Sequence, residues 1–151
     1  MYDILFKDIK SMGYSKVFIV GKNCHYLMSD SKQEIKKFSK NRGMLILETN
    51  SYDARRYSAQ KALVDGIMSC EKHGKMDRIN YPDSGMDDVL AKEMAKNNVA
   101  LIINARDFIE AEDRAKILER MMFNIKLAKK FKTPIMVISG AKKEIQLKHP
   151  S

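Results

Sequence analysis

A chain of 151 residues is long enough for one domain with its own apolar core, without disulfides or a structural metal to staple it. Its 44% hydrophobic and 31% charged residues suit a soluble globular protein, and no apolar run approaches the roughly 20 residues that cross a bilayer. The formal net charge of +9, from 28 Lys and Arg against 19 acids, favours a polyanionic partner such as nucleic acid without naming one.

The opening MYDILFKDIK scatters charges among its apolar residues and lacks the continuous apolar core of a secretory signal, so the chain is expected in the cytosol. A first strand is predicted at Val17 to Val20, followed by the loop GKNCHY with Lys22. Ser31 and Glu34 have capping-box spacing and open a helix that Gly43 ends in a left-handed conformation. Strands are then predicted at Met44 to Thr49, around Val64 to Ser69, at Val99 to Asn104 and at Pro134 to Ser139. Several are near-continuously apolar, which suits a parallel sheet covered on both faces. Ser84 and Asp87 have N-cap and N3 spacing for a helix carrying Val89, Leu90 and Met94. A long amphipathic helix is predicted over Glu110 to Phe131, with acids at its start and lysines at its end that complement the helix dipole.

Alternating strands and helices without a linker predict a single α/β domain over residues 1–151, with functional loops at the carboxyl ends of the strands. Each of those loops carries a basic group: Lys22; Arg55 and Arg56; Lys72, His73, Lys75 and Arg78; Arg106; Lys142 and Lys143. They are expected to form a positive rim that contacts phosphates, with Tyr26, Tyr52, Tyr57, Tyr81 and Phe108 near it for stacking on bases. Lysines on outer helices matter less on this reading.

Metal and catalytic patterns are missing. Cys24 and Cys70 are far apart, with only His25 and His73 nearby, and read as reduced thiols. There is no H-x-H, H-E-x-x-H, Walker or G-x-S-x-G pattern, so no catalytic residue is assigned. Asp83, Asp87 and Asp88 read as a helix start in preference to a divalent-ion site.

The run DSGMDDVLAKEMAKNNVALIIN, followed by EDRAKILERMMFNIKLAKKFKTPIMVISGAKK, resembles the archaeal and eukaryotic ribonuclease P protein component 3 family from about Val64 onward. The distinctive parts are Asp83-Ser84-Gly85, the helix Asp88 to Lys92, Asn98-Val99-Ala100, Arg114-Ala115, Asn124 with Leu127-Ala128, and Ser139-Gly140-Ala141. The resemblance implies a TIM-barrel-like fold related to polymerase and histidinol phosphatase domains. With the family's opening strand reduced to MYDILFKDI and the chain ending at LKHPS, the expectation is a shortened or partly open parallel barrel with outer helices.

The resemblance further implies a subunit of ribonuclease P. It would bind the catalytic RNA and a smaller protein subunit, and meet precursor tRNA in the holoenzyme, in archaeal cytoplasm. Catalysis and its Mg2+ would belong to the RNA, with no cofactor in the protein itself. Lys92, Arg106, Arg114 and Lys142 fall in or beside family motifs and lead the RNA-contact candidates, joined by Lys143, Arg78, Arg55 and Arg56; Ser84, Gly85, Ser139 and Gly140 shape turns. Two other readings stay open: a metal-dependent phosphoesterase built on Asp83, Asp87 and Asp88, and an α/β module that binds only proteins.

Overall fold

The computed structural model describes residues 2–5, 16–19, 24–40, 43–73 and 82–140, the first two segments and His73 by their backbone alone. Five parallel strands form one open sheet in sequential order: β3 (Cys24–Met28), β4 (Met44–Glu48), β5 (Gly66–Met68), β6 (Ala100–Asn104) and β7 (Ile135–Ile138). Before them, β1 (Tyr2–Leu5) pairs in parallel with β2 (Lys16–Ile19), and β1 runs close to β7. The fold is an α/β fold of partial TIM-barrel-like form.

Two of these strands depart from the sequence expectation. The segment assigned to a loop after Val20 contains β3, an edge strand of the sheet: Cys24 and Leu27 are buried on its two opposite faces, one in each core cluster, while His25 and Met28 are exposed. The MYDILFKDI segment likewise contains a full strand. By contrast β4, β5 and β6 are buried almost throughout, as their apolar runs require of central strands.

Helices α1 (Lys32–Phe38), α2 (Tyr52–Gln60), α3 (Asp88–Lys96), α4 (Ala105–Ile109) and α5 (Arg114–Phe131) return the chain between strands. Parallel strands need such crossovers, so α1, α2, α3 and α5 run back against the strand direction. One core cluster joins Leu45, Leu47, Ile67, Leu101 and Ile103 of the sheet to Ile35, Leu90, Met94 and Leu127 of the helices. The opposite face of the sheet carries a second cluster of Cys24, Ile46, Met68, Ile102 and Ile138.

Helix boundaries follow local hydrogen bonding. Ser31 caps α1 by accepting from Glu34 N–H, but the Glu34 carboxylate accepts from Ser29 Oγ instead of reaching back to Ser31, so only half of the expected capping box forms. α1 stops at Phe38 with Ser39 in a right-handed conformation, well before Gly43. A Cβ at Gly43 would lie 2.9 Å from the exposed His25 ring, which would have to turn aside. Asp87, not Ser84, is the N-cap of α3, because its carboxylate accepts from Leu90 N–H while Ser84 lies in the preceding turn. The predicted helix over Glu110 to Phe131 is shorter: α4 ends at Ile109, and Asp113 caps α5 through Lys116 N–H.

Candidate nucleic-acid interface

The strand carboxyl ends carry acids. Glu48 closes β4, Glu71 follows β5 in a short 3-10 turn over Cys70–His73, and Asp107 sits in α4 just after β6. Lys72 places its ammonium between two of them, 3.2 Å from Glu48 Oε1 and 3.4 Å from Asp107 Oδ1. Tyr26 donates its hydroxyl to Glu48 Oε2 at 2.7 Å, and Ser69 Oγ donates to Asp107 Oδ2. Asp30 accepts from Thr49 Oγ1 and from the main-chain N–H groups of Asn50 and Ser51.

Burial sets the protonation behaviour of this cluster. It pushes the Glu71 carboxyl up to about 7, with the neighbouring Asp107 and Glu48 adding to the rise and Lys72 opposing it. Asp107 is also raised by burial; its Ser69 hydrogen bond and Lys72 ion pair pull the other way without offsetting it. Burial would lower the Lys72 ammonium, but Asp107 and Glu48 outweigh it and hold the group above its ordinary value. Tyr26 is raised by burial and by its bond to Glu48. Among the described residues, the end of the sheet expected to be a positive rim thus also holds three carboxylates around one lysine.

The predicted RNA contacts divide accordingly. Arg55 is 2% exposed; its guanidinium donates to the carbonyl oxygens of Cys70 (3.4 Å) and Asn50 (3.5 Å), so it holds loops together and presents no surface. Arg56, one residue on, is exposed. Arg106 spans the ends of β6 and β7, donating from Nε to Glu110 Oε1 at 2.7 Å and from Nη1 to the Gly140 carbonyl oxygen at 3.3 Å. Arg114 is exposed at the start of α5 and donates to the Ile109 carbonyl oxygen at 3.0 Å. Lys92 lies on the outer surface of α3, its ammonium 5.2 Å from the Phe131 ring centre, where Lys130 also sits at 4.8 Å. Lys22, Lys75, Arg78, Tyr81, Lys142 and Lys143 lie outside the described residues.

The turn residues have steric reasons. Gly85 has φ +73°, and a Cβ there would collide with the Cys70 carbonyl oxygen and the Arg55 guanidinium. Gly140 has φ +63° and would collide with Asn104 Oδ1. Ser84 is buried, with Oγ donating to the Met86 carbonyl oxygen and its own carbonyl accepting from Asn124 Nδ2. The nearby aspartates are engaged: Asp83 accepts from Gly85 N–H, Asp87 caps α3 and accepts from Tyr52 Oη, and Asp88 pairs with Lys130 at 3.0 Å. Among the described residues no group of three His, Cys, Asp or Glu is arranged to hold a metal ion. No helix of the described residues is long and apolar enough to cross a membrane.

Sequence reasoning set aside the lysines of the outer helices, whose ends the fold brings together. The last turns and C-caps of the helices carry Lys36 and Lys37 (α1), Lys61 (α2), Lys96 (α3), and Lys129, Lys130 and Lys132 (α5). Because the helices run against the strands, these lysines gather at the amino end of the sheet, opposite the carboxylate cluster. The signal was legible: the same strand-end segments that contain Arg and Lys also contain Glu48, Glu71 and Asp107. Each lysine also complements its helix dipole, so the face has a structural reason as well as a capacity to meet phosphates.

The sequential parallel sheet, with helices on one face and a polar cluster at its strand ends, defines an open TIM-barrel-like α/β protein. The chain is a homologue of the archaeal ribonuclease P protein component 3 family. It is 30% identical over 139 residues to ribonuclease P protein component 3 of Methanococcus maripaludis (strain C7), covering 91% of this chain and 55% of that protein. The protein of the same name from Methanocaldococcus jannaschii is 27% identical over 150 residues, covering 96% and 62%. The chain thus spans about half to three-fifths of the length of these curated relatives. No family model matches. A chain from the cryo-EM structure of archaeal ribonuclease P with mature tRNA shares the fold, with a TM-score of 0.69 and 22% identity over 97% of this chain and 67% of that one.

Proposed function

We propose that the chain serves as a protein subunit of ribonuclease P, supporting RNA-catalysed removal of 5′ leaders from precursor tRNA in the cytoplasm of an archaeon. Its homology to component 3 proteins is the observation that carries this reading. The lysines at the amino end of the sheet supply a surface suited to RNA phosphates, and the carboxylates around Lys72 make the other end less suited to them. On this reading the chain binds the catalytic RNA and a smaller protein subunit, reaches precursor tRNA through the holoenzyme, and leaves the chemistry and its Mg2+ to the RNA. The engaged Asp83, Asp87 and Asp88 favour this over a phosphoesterase built on them.

Tagging the chain in its native cell, purifying it at moderate salt and sequencing the accompanying RNA tests the reading. Strong enrichment of ribonuclease P RNA is expected. A folded, tagged protein that retains protein partners but no such RNA contradicts it.

A further inference from the structure

The outer side of α5 carries an open groove of about 360 Å³ floored by Leu118, Met122 and Phe123 and flanked by Pro82. Leu118 is 44% and Met122 50% exposed, although both belong to a helix whose other side is packed into the core. Two opposite charges border the apolar floor, Glu119 toward the start of the helix and Lys126 two turns later. Both are exposed, and among the described residues neither has an ion-pair partner.

This arrangement is self-complementary. If two copies of α5 are laid antiparallel about a two-fold axis passing between Met122 and Phe123, position 119 of one copy falls opposite position 126 of the other, and the reverse. A two-fold interface must match its own patch in this way. The apolar residues then meet at the centre, with one acid–base pair on each side. Lys116 and Lys129 face each other only at the two ends of the pairing, where solvent screens them. Lys130 is already turned toward Asp88.

We propose that this groove docks a second copy of the same chain, α5 against α5, with Glu119 and Lys126 forming reciprocal pairs across the interface. A single helix pair is a small contact, so the association is weak and depends on concentration. An unrelated helix would satisfy the apolar floor but has no reason to match the spacing of both charges; a second copy matches it by symmetry. The inference is independent of any RNA role.

Sedimentation of the full chain over a wide range of concentration tests it. The wild type is expected to dimerise at high concentration, and Glu119→Lys or Lys126→Glu alone to weaken self-association by about tenfold or more through like-charge repulsion. Both positions are exposed, so circular dichroism is expected to be unchanged. Mixing the two single variants restores dimerisation, because lysines at 119 and 126 of one chain then face glutamates at both positions of the other. The double reversal E119K/K126E restores it within one chain. A wild type that stays monomeric at every concentration overturns the proposal, as does a mixture no more associated than its separate components; in either case the groove serves a foreign partner or none.

Discussion

Arg120 donates from Nη1 to the main-chain oxygen of Glu71 at 3.1 Å, fastening the middle of α5 to the turn that follows β5. Both residues are buried, and both carboxyl oxygens of Glu71 lack a hydrogen-bond partner among the described residues. The turn is thus held by its backbone while its carboxyl group stays out of water.

That burial predicts a pH-dependent stability. Glu71 has a folded pKa raised to about 7 from an ordinary 4.5, so below about 4.5 the group is protonated in both states and imposes no penalty. As pH rises from about 4.5 to about 7 the unfolded chain ionises first, and stability falls by about 2 to 4 kcal/mol before levelling off. Glu71→Gln is expected to remove most of this fall and to be the more stable protein at pH 8, read from urea unfolding across pH. Parallel curves for the two proteins would rule the assignment out.

Arg120→Met is expected to destabilise the fold by about 2 to 4 kcal/mol, because it removes a buried donor and leaves the Glu71 carbonyl oxygen without it. The same substitution at exposed Arg56 is expected to change stability by less than about 0.5 kcal/mol. Thermal unfolding of both variants checks the contrast.

Gly85→Ala is predicted to cost about 2 to 4 kcal/mol, since a Cβ meets the Cys70 carbonyl oxygen and the backbone is left-handed. Lys132 makes the opposite case. It ends α5 with φ +60° and ψ +30°, so Lys132→Gly is expected to stabilise by about 0.5 to 1 kcal/mol. A loss of stability in Lys132→Gly would mean that the lysine side chain contributes more than the relieved backbone.

The apolar runs at Met44 and Val99 were legible as strands because central, covered strands need little beyond continuous hydrophobicity; the run at Pro134 was equally apolar, although β7 lies at the edge of the sheet with Ile135 and Val137 exposed. Cys24–Met28 was harder, since its burial does not alternate and the run holds no β-branched residue to mark it as a strand. The N-cap of α3 shifted from Ser84 to Asp87 because Ser84 is drawn into a buried turn by Met86 and Asn124, a tertiary effect that spacing does not reveal. Arg55 and Arg56 are adjacent and equally basic in sequence, yet helical rotation buries one and exposes the other. Charge at strand ends was read from its basic members alone, which concealed Glu48, Glu71 and Asp107.

The salt dependence of binding to ribonuclease P RNA, compared between two variants, tests the proposed RNA surface most directly. In the first, Lys96, Lys129 and Lys132 are replaced by glutamine; in the second, Arg56 and Arg106 are. The first variant is expected to bind more weakly, with a log-log salt slope shallower by roughly 0.7 to 0.9 for each phosphate that no longer meets a lysine, while the second stays close to wild type. An unchanged slope in the helix-end variant, with the weakening found in the arginine variant instead, would contradict this and return the RNA to the carboxyl end of the sheet.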